Sequence, residues 1–489
     1  MKEKLEIKKQ AKIKAKDPEK LESIEQEKLL IKIKKDLDRE DSRSISIKEG
    51  SFASIAQGTG HSYISPFAIA LGASNAQIGI LSSLPQIIAP LAQLFGSKLI
   101  EKRSRKQIVR EHVFFEAMIW LLILILALLA YFGVITQLPL MLIIIYSFLV
   151  FVGGLSGPAW FSWMGDIVSE KIRGEYFAKR YRITGAVALI SMLLASFFLD
   201  YLKTKGLVLI GFSILFLIAN LARLNSFKLF KKQYEPELKL KDGYYVSLFS
   251  FIKNLPKHNF GRFVIFVSIL KLSVFIAAPF FAVYMLRNLG FSYLWFTAIT
   301  ISSTIFTLIF FPLWGRFSDE YGNMITLRIG SALVPLIPLL WIVSKNPIYL
   351  ALVPGMISGI GWAAFNLSSN NFIYDSTDQQ RRGIYLAYFN VLAGVGIIIG
   401  GLLGSFLTQY LTIQFMNKIL FVFLLSGIAR ALTVLLIIPR IKEPRKVKKP
   451  KKLVKAIFKE MYPLRRHQAI NTEPIHFRHS FPIKFEIKS

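Results

Sequence analysis

Ile419–Ile438 holds a single ionisable side chain, Arg430, in an otherwise uncharged run. About 20 such residues, coiled as a helix, match the roughly 30 Å hydrocarbon core of a bilayer. Inside that core no water pairs with the backbone, so a spanning segment has to be a helix or part of a closed barrel. Met118–Phe132 and Leu207–Ala219 are further blocks of the same kind. Hydrophobic residues make up 53% of the 489, charged residues 19%, and mean hydropathy is +0.47. The pattern predicts an all-α polytopic membrane protein.

Apolar segments fall at 51–72, 76–99, 112–133, 138–163, 180–202, 206–227, 260–287, 293–317, 325–344, 347–372, 385–410 and 416–438, which predicts twelve spans. Positive charge sorts to alternate loops. EKRSRKQIVR (Glu101–Arg110), EKIRGEYFAKRYR (Glu170–Arg182), KLFKK (Lys228–Lys232), RFSDEYGN and DQQRRG alternate with GASNA, GVITQLP, LKTKG, NLGFS and KNP. Lys and Arg mark cytosolic loops, so both termini are expected in the cytosol and the protein in the plasma membrane. The same bias accounts for the net charge of +31 without nucleic acid, for which basic charge is only a non-specific footprint. Cysteine is absent, so disulfides, cysteine-ligated metals and thiol catalysis are excluded. The first 50 residues are charged, and no cleavable signal peptide is expected.

One phrase is written twice. Asp166 and Asp375 each precede an Arg-Gly-x-Tyr-x-Ala stretch, and 375 − 166 = 209. The same offset relates Arg173 to Arg382, Gly174 to Gly383, Tyr176 to Tyr385, Ala178 to Ala387 and Gly185 to Gly394. LLASF (Leu193–Phe197) and LLGSF (Leu402–Phe406) keep it too. So many ungapped matches indicate an internal duplication, hence two related halves. The expected organisation is a charged N-tail over 1–48, a six-helix bundle over 49–228, a linker over 229–258, a second bundle over 259–440 and a basic C-tail over 441–489.

Twelve spans, a mid-chain cytosolic break and a repeat across it resemble the major facilitator superfamily over about 50–440. The loop after span 8, GRFSDEYG, is similar to that family's G-x-x-x-D-x-x-G signature, with Gly315, Asp319 and Gly322 in place. The loop after span 2 departs from it: Ile100 and Arg103 stand at the Asp and second Gly positions. The resemblance implies two pseudo-symmetric six-helix bundles that rock around a midplane site lined by spans 1, 4, 7 and 10. It also gives Asp166, Arg173, Gly174, Asp375, Arg382 and Gly383 a gating or structural role, with the Asp and Arg residues forming contacts between helices.

Ionisable groups inside spans are costly and point to function. Lys271 lies 12 residues into span 7, roughly 18 Å at 1.5 Å per residue, which is close to mid-bilayer. It is expected to face an anionic solute or a carboxylate. His61 and Gln57 sit in the polar first span, and an imidazole there suits either proton coupling or packing. Trp160 of span 4 and Trp362 and Asn366 of span 10 combine aromatic faces with an amide, as solute pockets do. Arg223 and Arg430 are read as structural, with Glu116 as a partner. Pro66 and Pro279 occupy corresponding first spans and are expected to kink them.

No nucleotide loop, HExxH or GxSxG occurs, so no enzyme activity and no cofactor are expected. The expected function is secondary-active transport of a small organic solute by alternating access. Scarce deep acids and present deep cations favour an anion. An exporter or flippase of amphiphilic drugs or lipids, and a non-transporting scaffold, stay open on sequence alone. The expected partners are the solute and membrane lipids, with the basic C-tail at anionic headgroups, around a monomer.

Overall fold

The computed structural model describes residues 18–134, 137–169, 172–237, 251–253, 255, 258–377, 382–411, 414, 416–445 and 447. Side chains at 173–174 and 382–384 lie outside that description. Eleven helices among the described residues are long and apolar enough to cross a membrane. They are span 2 (Asn75–Leu99), span 3 (Arg105–Tyr131), span 4 (Leu138–Ile167), span 5 (Arg173–Thr204), span 6 (Val208–Lys232) and span 7 (Asn259–Phe275, resumed over Phe280–Val283). Span 8 (Tyr293–Tyr321), span 9 (Asn323–Leu333 and Leu336–Val343), span 10 (Pro347–Ser376), span 11 (Arg382–Tyr410) and span 12 (Lys418–Ile437) complete them.

Span 1 is the twelfth. Its helix, Pro18–Thr59, passes through a tight turn at His61–Tyr63 into Ile64–Ala70. At about 1.5 Å per residue, the 42-residue stretch is roughly twice as long as the hydrocarbon core is thick. The expected boundary at 48/49 therefore falls inside one continuous helix. Hydropathy alone understates this span because a charged extension and a polar break flank its apolar turns. The glycine at the break has a steric reason. A Cβ on Gly60 would lie 2.5 Å from the Trp120 ring of span 3, so only glycine lets the two helices approach there.

The repeat reappears as packing. Span 1 packs on 5 and 6, span 2 on 4, and span 3 on 4 and 6. Adding six to each number reproduces the other half: 7 on 11 and 12, 8 on 10, and 9 on 10 and 12. The halves meet along two seams, 2 against 11 and 5 against 8, which the same operation exchanges. The kinks are duplicated as well. Span 7 stops at Phe275, just ahead of Pro279, as span 1 breaks ahead of Pro66. Outward positions such as Leu194, Phe406, Leu435 and Leu436 are exposed and apolar, as lipid contact requires.

We call the end where spans 1 and 12 continue into the tails the tail end, and the opposite one the far end. Gly322, with φ +99°, makes the sharp tail-end turn between spans 8 and 9, a conformation that favours glycine.

Candidate functional site

Span 10 carries Trp362, Asn366 and Asn370 at helical spacing, so they form one stripe. Both amides are exposed. An amide facing hydrocarbon would be unsatisfied, so this stripe faces water inside the protein. Trp362 is set edge-on to Phe365, with ring centroids 5.3 Å apart, and Phe365 packs against Phe266 of span 7. The indole is thereby aimed at span 7, where the Lys271 ammonium lies 4.8 Å from its ring centroid.

Lys271 has no carboxylate and no hydrogen-bond acceptor among the described residues, and it is half-buried. A cation–π contact supplies up to about 2 kcal/mol. Withdrawing an ammonium from water costs several. The indole positions the charge without balancing it.

The opposing half builds differently. Trp160 of span 4 lies under the Arg180 guanidinium of span 5, at 4.7 Å. Arg180 is 3.7 Å from Glu49 of span 1, Glu49 is 3.7 Å from Arg223 of span 6, and Arg223 holds Glu116 of span 3 at 2.5 Å. Two cations and two carboxylates thus balance one another across four helices. The Arg223–Glu116 pairing was legible in the sequence; Glu49 and Arg180 were not. His61 has its Nδ1 3.1 Å from the Tyr146 hydroxyl and its ring edge-on to Trp120, all within this half. Gln57 is exposed on span 1, and its backbone carbonyl accepts from Ser62. Of the six expected site residues, the structure brings Lys271 and Trp362 together with Asn366 one turn away. Trp160, His61 and Gln57 belong to the other half.

The repeated acids are bound within their own halves. Asp166 takes a hydrogen bond of 2.6 Å from Arg105, the first residue of span 3. Asp375 takes one of 2.6 Å from Asn323, the first residue of span 9, and pairs with Arg445 at 3.1 Å. The expected partners Arg173 and Arg382 open their helices, and their side chains lie outside the described residues. A second duplicated pair went unread: Glu235-Pro236 and Glu443-Pro444, 443 − 235 = 208 apart. Glu235 accepts the Arg105 N–H and Glu443 the Met324 N–H, both at 2.7 Å, so each closes the start of span 3 or 9. Asp319 is exposed and takes no part in this closure.

Polar contacts between the halves lie at the far end. Tyr63 meets Thr297 at 3.0 Å, and Arg287 donates to the Ala73 carbonyl at 2.5 Å. Asp200 accepts the N–H groups of Tyr293 and Leu294, each at 2.8 Å. Gly79 and Gly401 bring spans 2 and 11 together there. Toward the tail end, Gly185 of span 5 and Gly315 of span 8 face open space. Among the described residues the polar contacts between the halves are thus gathered at the far end, while spans 2 and 11 stay in contact further along, with Gly394 against Gln86 and Ile87. Among the described residues no cluster of His, Asp or Glu could hold a metal ion.

Comparison with known proteins accords with this geometry. A curated relative, an uncharacterized transporter of Schizosaccharomyces pombe, is 31% identical over 111 residues. That match spans 23% of this chain and 19% of the relative's length. Among solved structures, a mutant of the nucleoside transporter NupG is 17% identical, with a TM-score of 0.62 over 81% of this chain and 100% of that one. A bacterial homologue of the iron transporter ferroportin in its inward-facing state is 16% identical, with a TM-score of 0.62 over 82% of this chain and 98% of that one. In its outward-facing state with soaked iron the homologue is 15% identical, with a TM-score of 0.50 over 81% and 98%. At these identities the likeness is one of fold. The profile of the Major Facilitator Superfamily matches residues 50–243 and 263–472, so both halves of the chain fall within it. The chain belongs to the Major Facilitator Superfamily and is an integral membrane secondary transporter of its alternating-access type.

Proposed function

We propose that this transporter moves a small organic anion and binds it at Lys271 over Trp362. The observation that carries the reading is the half-buried ammonium of Lys271, which has an indole beneath it and no anionic partner among the described residues. Asn366 would supply amide hydrogen bonds to the solute, and the stripe through Asn370 gives it a polar way to the tail end. In this reading the tail end, with its Lys- and Arg-rich loops, faces the cytosol of a plasma-membrane protein. The polar contacts gathered at the far end then correspond to a cytosol-facing state. The better fit to the inward-facing ferroportin homologue than to the outward-facing one supports this. Gly185 and Gly315 have open space beside them and would be covered when the tail end shuts, with Asp319 and its loop as tail-end gate elements. The protein works as a monomer. The basic C-tail, which extends past the described residues, contacts anionic lipid.

The test is a thermal-shift screen of the purified protein against carboxylates, phosphates, sulfonates, neutral solutes and amphiphilic cations. A ligand of the native state raises the melting temperature. An anion that stabilises the parent and leaves Lys271→Met unmoved supports the proposal. Amphiphilic cations that stabilise both equally would replace it with a drug or lipid exporter. Absence of any ligand, with no flux from liposomes, would leave a scaffold. In the same liposomes, collapsing a proton gradient tests coupling. Flux that persists but loses its pH response in His61→Gln assigns the proton to His61.

A further inference from the structure

We infer that Asp200 is the latch of the far-end gate: it caps the first turn of span 8 across the seam between the halves and thereby holds the protein closed to the far side. This inference is independent of the solute.

The first N–H groups of a helix have no partner within it. In span 8 the first three are all taken. Trp295 N–H goes to Ser292 of the same turn, at 3.2 Å. Tyr293 and Leu294 N–H go to the two carboxylate oxygens of Asp200, at 2.8 Å each. Asp200 belongs to span 5, so two thirds of this cap comes from the other half. A carboxylate also sits favourably against the positive end of the helix, and charge-assisted bonds are stronger than neutral ones. Lys203, one turn further on, lies 5.6 Å from the Tyr293 ring and covers the junction. The Tyr293 ring stands edge-on to Phe212 of span 6. The contact is therefore seated in packing.

The related seam lacks this device. The residue 209 positions after Asp200 is Gln409, which is exposed. Span 2, its partner helix, is capped by its own Ser74 and Gln77. One of the two seams thus carries a carboxylate latch, and the other closes on the small residues Gly79, Ser83, Gly401 and Ser405. When the far end opens, spans 5 and 8 part and both amides pass to water. The Asp200 bonds exist only in the closed state, and a contact made in one state alone sets the balance between states.

The chain has no cysteine, which permits site-directed spin labelling without background. A tail-end pair, Lys98→Cys with Arg316→Cys, and a far-end pair, Lys205→Cys with Lys345→Cys, use exposed positions on opposite halves. In the parent the tail-end distance is expected to be mainly long and the far-end distance mainly short. Asp200→Ala should raise the population with a short tail-end and long far-end distance about five- to thirty-fold, the range a lost cap supplies. Asp200→Asn, which keeps one acceptor oxygen and loses the charge, should fall between Asp200→Ala and the parent. Tyr63→Phe, which removes a neutral bond between the halves, should move the populations less than Asp200→Ala. Parent-like distributions in a monodisperse Asp200→Ala protein would overturn the inference. Amide exchange over 292–296 in the unmodified chain is the independent check and needs no variant. Slow exchange is expected, and exchange as fast as in an exposed loop would equally overturn it.

Discussion

Spans 6 and 12 each bury an arginine toward the tail end, and the two halves neutralise it by different means. Arg223 meets carboxylates, Glu116 at 2.5 Å and Glu49 at 3.7 Å. Arg430 is 2% exposed and meets none; it bonds to Ser426 and to the carbonyls of Val334 and Val274. The reason lies in the helices around it. Pro338 has no N–H to offer the Val334 carbonyl four residues earlier, and span 9 breaks there. Span 7 breaks beside Val274. The break at Pro338 leaves the Val334 carbonyl for the guanidinium, while the Val274 carbonyl, which also accepts from Ala277 and Ala278, takes a further bond from it. In the first half span 3 runs unbroken, and span 1 breaks nearer the far end. Arg223 finds no loosened backbone and needs acids. The duplicated fold has thus kept a buried cation in each half while its counter-charge diverged with the local state of the backbone.

The largest expected effect tests that contrast directly. Arg223→Met leaves Glu116 and Glu49 buried with too little positive charge and should cost about 3–5 kcal/mol in unfolding experiments. Arg430→Met leaves only carbonyls unpaired and should cost about 1–3 kcal/mol. Equal losses would break the comparison. Adding Pro338→Ala to Arg430→Met restores an N–H for Val334. The double variant is then expected to recover about 1 kcal/mol relative to the sum of the single ones.

At the tail end, Arg105 is 1% exposed and Arg445 34%, although both serve the repeated acids. Arg105→Ala empties a buried position and leaves the buried Pro236 carbonyl without its donor, while Asp166 stays half in solvent, so it should destabilise by about 2–3 kcal/mol. Arg445→Ala should cost no more than about 1 kcal/mol, because solvent screens its pair. A reversed order in melting temperatures would show that the C-terminal closure matters more. The smallest effect has the opposite sign. Lys271→Met removes a half-buried cation without a counter-ion and should raise stability by up to about 1 kcal/mol while abolishing anion binding. A loss of stability instead would mean that Lys271 has a structural partner.

Where the sequence was legible, the reason was periodic. Long uncharged runs mark spans, the 209-residue offset marks the duplication, and Pro66 and Pro279 mark the paired breaks. Span 1 was less legible: its charged extension carries the same helix through residue 48, and nothing local announces a boundary or its lack. Asp166 is held by Arg105, and Asp375 by Asn323 and Arg445, while the side chains of the expected partners Arg173 and Arg382 lie outside the described residues. Arg105 and Arg445 are not equivalent in sequence, since one opens span 3 and the other follows span 12, so no offset could pair them. The Glu-Pro pair was visible at 208, one residue out of register with the main repeat. Lys271 with Trp362 was foreseeable as two residues and not as a contact.

The sequence by itself determined what depends on transfer from water to lipid and on copying: helices, their number, their orientation bias and their two-fold kinship. Those properties sum over many residues and survive local error. The tertiary structure alone decided which charges meet, which carbonyl a proline break sets free and where the polar contacts between the halves lie. These depend on ångström distances between helices far apart in the chain, and a one-dimensional pattern does not carry them.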